Sequence, residues 1–195
     1  MDEAPRDRLL ALLRAEGHVR LDKPVELASG EMSSDFVDCK RALAAWPDLE
    51  LACRLVADAV AEAGVDYHAV GGLTLGADAL AVGVAAVTDT RWFVVRKEPK
   101  GRGTGRLVEG ARIDGDTRVL LVDDVVTTGG SLLKAYEAVR GMGAEVVAAS
   151  AIVDRGEVAR RRLDALGVPY RPILTYKDLE IAPVGGGQVG AAAAG

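Results

Sequence analysis

Residues 119 to 135 read VLLVDDVVTTGGSLLKA: an aliphatic run ends in two adjacent carboxylates, passes through Thr-Thr-Gly-Gly-Ser and resumes with apolar residues at helical spacing. Val119, Leu120, Leu121 and Val122 are the β-branched and aliphatic run of a strand buried on both faces. Leu132, Leu133, Tyr136 and Val139 follow at intervals that suit one helix face. The stretch is therefore a strand, a loop and a helix. In parallel α/β sheets ligands gather beyond the carboxyl ends of the strands, so Asp123 and Asp124 are expected to project there, toward a ligand and away from the core. Gly129 and Gly130 permit unusual backbone angles and close approach. A helix opening near Ser131 turns unpaired N–H groups and a positive dipole end to the same point, which suits a phosphate. Acceptors in front and donors behind describe a polyol phosphate site, with sugar hydroxyls on the Asp pair and a phosphate in the Thr-Thr-Gly-Gly-Ser cradle. An Asp-Asp that merely opens a turn leaves the rest of the ordered combination unexplained. A P-loop lacks its Lys after Gly130, and a phospho-receiver domain needs more sheet downstream than the chain has left.

The 195 residues suffice for one well-buried domain. Hydrophobic residues make up 49% and charged residues 27%, which excludes wholesale disorder. A net charge of −5 argues against an electrostatically driven nucleic-acid binder. No run approaches the roughly 18 apolar residues of a membrane span, and the opening MDEAPRDR lacks a signal-like apolar core. A cytoplasmic enzyme is the expectation. Cys39 and Cys53 are not spaced as a metal pair and have only His18 and His68 to help them, so reduced thiols and no protein-bound zinc are expected.

Outward from the central stretch, Leu9, Leu10, Leu12 and Leu13 predict a first helix stopped by Gly17. VELASG (25–30) and DFVDC (35–39) predict two short strands with a turn at Gly30. Residues 48 to 63 predict a helix, and Pro47 and Asp48 suit its start. YHAVGGL, the GADALAVGVAAV helix, WFVVR, a loop, the VLLV unit, EVVAASAIV, the RRRLDAL helix and YRPILTY then alternate, predicting an α/β fold with a mainly parallel sheet covered by helices on both faces. The Gly and Ala-rich tail from Pro183 to Gly195 is expected to be mobile.

Between Arg96 and Val108, RKEPKGRGTGRLV carries the cations Arg96, Lys97, Lys100, Arg102 and Arg106 with three glycines. A solvated hairpin explains such charge in isolation. In a chain with a sugar-phosphate cradle it predicts a basic lid that excludes water and meets the negative charge of a leaving group. GGLTLGAD (71–78) is a weaker signal for a second backbone anion site, since glycine turns are common where helix and strand pack closely.

VLLVDDVVTTGGS closely resembles the phosphoribosyl pyrophosphate (PRPP) signature of the type I phosphoribosyltransferases. VELASGEMSSDFVDCKRAL, VGGLTLGADALA, FVVRKEPKGRGTGRLVEG and AIVDRGE look like the orotate phosphoribosyltransferase branch, in the same order and with similar spacing. The resemblance spans roughly residues 6 to 182. It implies a single domain over residues 1 to 182, with a Rossmann-like core and a small hood built largely from residues 1 to 40 and part of the C-terminal region. It also implies a homodimer with lids shared between sites. The implied reaction joins orotate to PRPP with Mg2+, giving orotidine 5′-monophosphate and pyrophosphate in de novo pyrimidine (UMP) synthesis.

By position, the resemblance assigns the ribose hydroxyls to Asp123 and Asp124, and the 5′-phosphate to Val125, Val126, Thr127, Thr128, Gly129, Gly130 and Ser131. It assigns the pyrophosphate to Arg96, Lys100 and Arg102, with Lys97 reaching the partner's site and Lys100 the most rate-sensitive. Orotate falls to Phe36, Val37 and Thr127, with Arg155 on its carboxylate, where a guanidinium makes a bidentate fork. Mg2+ is expected to arrive with PRPP and water and not in a protein cage. Two positions depart from the family: Ala28 stands where many members carry a lysine, and Lys100-Gly-Arg102-Gly replaces Lys-x-His-Gly, keeping charge but not a group that titrates near neutrality. The competing readings are a phosphoribosyltransferase for a purine or uracil, and a PRPP-binding regulatory protein.

Overall fold

The computed structural model describes residues 4–27, 30–98 and 107–185. The expectations for Ala28, Lys100, Arg102, Arg106 and most of the tail lie outside these residues. The order is α1 (Pro5–Leu12), a π-turn (Leu13–Gly17), β1 (His18–Glu26), β2 (Met32–Val37), α2 (Cys39–Ala42), α3 (Trp46–Ala61), β3 (Ala69–Leu73), α4 (Asp78–Thr88), β4 (Arg91–Val95), β5 (Val108–Gly110), β6 (Arg118–Val126), α5 (Gly130–Arg140), β7 (Glu145–Asp154), α6 (Val158–Ala165) and β8 (Tyr170–Thr175).

Six strands form one sheet in the order β5-β4-β3-β6-β7-β8, and β1 and β2 form a separate antiparallel pair. All neighbours in the large sheet are parallel except β4 and β5. The expected α/β architecture is therefore the observed one. No helix among the described residues is long and apolar enough to cross a membrane.

The period of β6 sorts its side chains between two cores. Leu120 and Val122 pack in a cluster with Val56 and Val60 of α3 and Leu80 and Val84 of α4. Val119 and Leu121 join Leu132 and Val139 of α5 and Leu163 of α6 on the other face. Each such side chain contributes about 1.5–3 kcal/mol on burial. Because successive residues of a strand alternate in direction, the same rule carries Asp123 to the α5 face and Asp124 to the α3 and α4 face.

Two expectations need correction. The first strand of the N-terminal pair covers His18–Glu26, not 25–30, and pairs only with β2, its register breaking between Arg20 and Val25. Strand β6 continues to Val126, paired with β7 as far as Asp154, so Asp123 and Asp124 lie within the strand and are only 5% and 8% exposed. Gly71 and Gly72 are required by close packing: a Cβ on Gly71 would strike Phe93, and one on Gly72 would overlap the Val122 carbonyl.

Both ends of the described chain are tied together. Arg6 reaches Asp178 at 2.6 Å and the Ile173 carbonyl at 3.1 Å, and Arg14 reaches the Asp178 carbonyl and Glu180. Farther on, the Val184 amide donates to the Arg155 carbonyl at 2.7 Å and the Gly185 amide to Glu31 at 2.8 Å. Gly156 lies beneath this strap with no room for a Cβ against the Val184 carbonyl.

Candidate active site

At the carboxyl end of β6, a cavity of about 430 Å³ is lined by Asp123, all seven cradle residues from Val125 to Ser131, Lys97, Lys134 and Leu73. Gly129 begins the cradle's turn into α5 with φ of +78°, and a Cβ there would press on Ala159 of α6 at 3.0 Å. Glycine is thus required by the left-handed backbone and by the helix behind it. None of the described residues accepts from the amides of Thr127, Thr128 or Gly129. These free donors and the start of α5 face the cavity, the arrangement that binds a phosphate. Val126 points its side chain into the α5 core, leaving its backbone to the cradle.

The acid pair is divided. Asp123 lines the cavity, with Oδ1 accepting the Asp124 amide at 3.0 Å. Burial first, and then the charge of Asp124, push its carboxyl well above the usual carboxylate range. Asp124 is turned to the far side: Oδ2 meets Lys40 Nζ at 2.6 Å and Oδ1 accepts the Val125 amide at 2.8 Å. Only one of the two carboxylates therefore opens on the cavity, which corrects the expectation that both do. The turn at Gly76 lies across both, and a Cβ there would come within 2.5 Å of Asp123 Oδ1 and nearer still to Asp124 Oδ1.

Arg155, at the end of β7, is 1% exposed. Nη1 donates to the Asp35 carbonyl at 2.9 Å and Nη2 to Ser33 Oγ at 3.0 Å, while Nε has no partner among the described residues. Burial lowers its pKa, with the Asp35 charge pulling the other way. The Asp35 carboxylate is in turn held by Arg20 at 2.9 and 3.0 Å and by His18 at 3.0 Å. Burial opposes its charge, but these two partners outweigh it and keep Asp35 below the ordinary range.

Phe36 is 43% exposed on the β1–β2 pair, and Val37 is buried in the core, leaving its backbone as the group a ligand would meet. Lys97, expected at a partner's site, lines the cavity of its own chain. Arg96 stays outside that cavity, against Glu109 at 3.1 Å and the Glu98 carbonyl at 3.3 Å. Lys134 and Lys40 were not foreseen. Lys134 lies four residues beyond Gly130, so helical spacing alone aims it at the first turn of α5. No local pattern links Lys40 to Asp124, 84 residues away.

A model of the phosphoribosyl transferase domain matches residues 50–165. The orotate phosphoribosyltransferase of Thermococcus gammatolerans is 37% identical over 174 residues, covering 89% of this chain and 91% of the relative. That of Mycobacterium tuberculosis (strain H37Ra) is 41% identical over 157 residues, covering 80% and 86%. The crystal structure of the Mycobacterium tuberculosis H37Rv orotate phosphoribosyltransferase in complex with PRPP superposes with a TM-score of 0.75 at 37% identity, covering 91% of this chain and 100% of that one.

Proposed function

We propose, from the premise that this chain belongs to the phosphoribosyl transferase domain family, that it transfers the 5-phosphoribosyl group of PRPP to orotate, the step of pyrimidine biosynthesis that yields orotidine 5′-monophosphate and pyrophosphate. One observation carries the reading beyond kinship: a single cavity joins Asp123, the open amides of the cradle and the cation Lys97. The relatives named above are orotate enzymes, and one of them was crystallised with PRPP.

In this reading the 5′-phosphate sits on the amides and hydroxyls from Val125 to Ser131, and Asp123 accepts from a ribose hydroxyl, with Asp124 behind it. The orotate carboxylate supplies the acceptor that Arg155 Nε lacks. Phe36 and the Val37 backbone flank the pyrimidine with Thr127. The bond from the anomeric carbon to pyrophosphate breaks, the ribose passes through an oxocarbenium-like state, and a ring nitrogen of orotate forms the new bond on the opposite face. Lys97, Arg96, Lys100 and Arg102 meet the charge that develops on pyrophosphate, Lys100 and Arg102 being assigned from sequence alone. Orotate is already an anion, so no nucleophilic side chain is needed, and the protein's contribution is positioning and electrostatics.

Mg2+ would be held by phosphate oxygens and water, with Asp123 the carboxylate of the cavity lining available to it; an ion held there would supply positive charge to the pyrophosphate. The reading also includes a cytoplasmic homodimer, which sedimentation of the purified chain tests.

The deciding assay mixes the protein with PRPP, Mg2+ and orotate and follows orotate's ultraviolet absorbance, with uracil, hypoxanthine and adenine in parallel. Selective loss of orotate, strongly reduced in Lys100→Ala, is expected. Preferred turnover of another base refutes the orotate assignment, and PRPP binding without turnover of any base points to a regulatory protein.

A further inference from the structure

We propose that Lys40 is a positioning residue for this reaction, fixing Asp124 behind the ribose site and tying the segment that carries the base pocket to the strand that carries the acid pair. The inference rests on the reading above, and four observations carry it. First, the alternation of β6 sends Asp124 away from the cavity that Asp123 lines. Second, both oxygens of Asp124 are engaged, Oδ2 by Lys40 Nζ at 2.6 Å and Oδ1 by the Val125 amide at 2.8 Å, so the carboxylate has one orientation. Third, Cys39 Sγ approaches the Asp124 carbonyl at 3.7 Å, so two successive residues of α2 grip one residue of β6. Fourth, residues 33 to 40 hold Arg155 at one end, through Ser33 Oγ and the Asp35 carbonyl, and Asp124 at the other.

Two adjacent buried carboxylates repel each other, and a cation beside one of them decides which stays ionised. Burial of Lys40 opposes its charge, yet the hydrogen bond to Asp124 prevails and raises its pKa. The other titratable and charged groups facing the pair are Asp38 and Cys39 at the start of α2, Tyr170 on β8, and Lys97 and Lys134 in the cavity lining. Lys40 is the one cation among them in direct contact with Asp124. Without it, Asp124 Oδ2 loses its partner and the carboxylate is free to turn. The ribose site loses a fixed negative charge directly behind Asp123.

The test is a double-mutant cycle on PRPP affinity, by calorimetry, and on kcat/KM, using Lys40→Met, Asp124→Asn and the pair, with Lys40→Arg as the conservative variant. Lys40→Met is expected to weaken PRPP binding and lower kcat/KM by about tenfold. Lys40→Arg, which keeps a cation on Asp124, should restore most of both. In the Asp124→Asn background the Lys40→Met effect should shrink to less than about twofold, because the residue acts through Asp124. An equal effect of Lys40→Met in both backgrounds, or no recovery in Lys40→Arg, overturns the proposal. The Lys40 side chain is 59% exposed, so the variant should fold; Lys40→Gln is the substitute if it does not, with the same outcomes. PRPP binding by the unaltered protein keeps the two ideas apart: its absence overturns the transferase reading and this one together, whereas binding with no coupling overturns this one alone.

Discussion

Replacing Gly76 by alanine adds one methyl group between the two carboxylates of the site. The ideal Cβ lies within 2.5 Å of Asp123 Oδ1 and still closer to Asp124 Oδ1. Real Cβ atoms essentially never sit under 3.0 Å from a neighbour, so both carboxylates, or the turn itself, must move by about half an ångström. Gly76 is not among the positive-φ residues, so the backbone conformation itself tolerates alanine. The perturbation is therefore confined to overpacking, about 1–3 kcal/mol of stability, or roughly 2–4 °C of melting temperature for each kcal/mol in a chain of this size. Activity should suffer much more, because misplacement on the ångström scale can cost about a hundredfold in a positioned reaction. We expect kcat/KM for PRPP to fall roughly 10- to 100-fold, measured beside a thermal melt. Gly64→Ala is the control: its φ is +68° and nothing lies within 4 Å, so it should lower stability and leave turnover alone. Near-normal turnover in Gly76→Ala, with the melt lowered, would refute the idea that the placement of these carboxylates controls the rate.

Arg155→Ala removes the donor to the Asp35 carbonyl and Ser33 Oγ; denaturant unfolding should show a loss of about 1–3 kcal/mol, and the preference for orotate over uracil should collapse. Lys134→Ala should raise KM for PRPP about fivefold with little change in kcat or melting temperature, since an exposed charge is worth about 1 kcal/mol. Asp154 is raised to about 6, by burial first, against the hydrogen bond from the Gly156 amide. Its folded pKa exceeds the unfolded value, so the folded state holds the extra proton and stability should decline as pH rises from about 4 to about 6. Asp154→Asn should flatten that decline, with urea midpoints above those of the parent at pH 7 and similar at pH 4.

Sequence periodicity reaches as far as the forces it reports. The strand, loop and helix of 119–135 are legible because a continuous aliphatic run gives way to helical spacing across two glycines. The cradle is local and was readable with them. His18–Glu26 is not legible: Asp22, Lys23 and Pro24 interrupt any alternation, and the strand exists because β2 pairs with it. Val108–Gly110 is three residues long and is defined by its partner β4. The opposite facing of Asp123 and Asp124 follows from the period of a strand, yet it requires knowing that the strand runs on to Val126. Lys40 against Asp124, and Ser33 and Asp35 around Arg155, join residues 84 to 122 positions apart. Only the folded chain brings them together, and the role of Arg155 was reachable through family resemblance alone.

The strap from Val184 to Gly185 has a consequence for the order of events during synthesis. Arg155 and Glu31 each receive one of its two amides, while Arg6 and Arg14 await Asp178 and Glu180. A nascent chain can pair β3 with β4 and β6 as they emerge, but the ties of its N-terminal segment to Asp178, Glu180 and Gly185 wait until the far end leaves the ribosome. Such distant contacts carry a loop-closure cost and form late. The central sheet should therefore resist protease in stalled nascent chains ending near residue 175, whereas competence to bind PRPP should appear abruptly once the chain extends beyond residue 185.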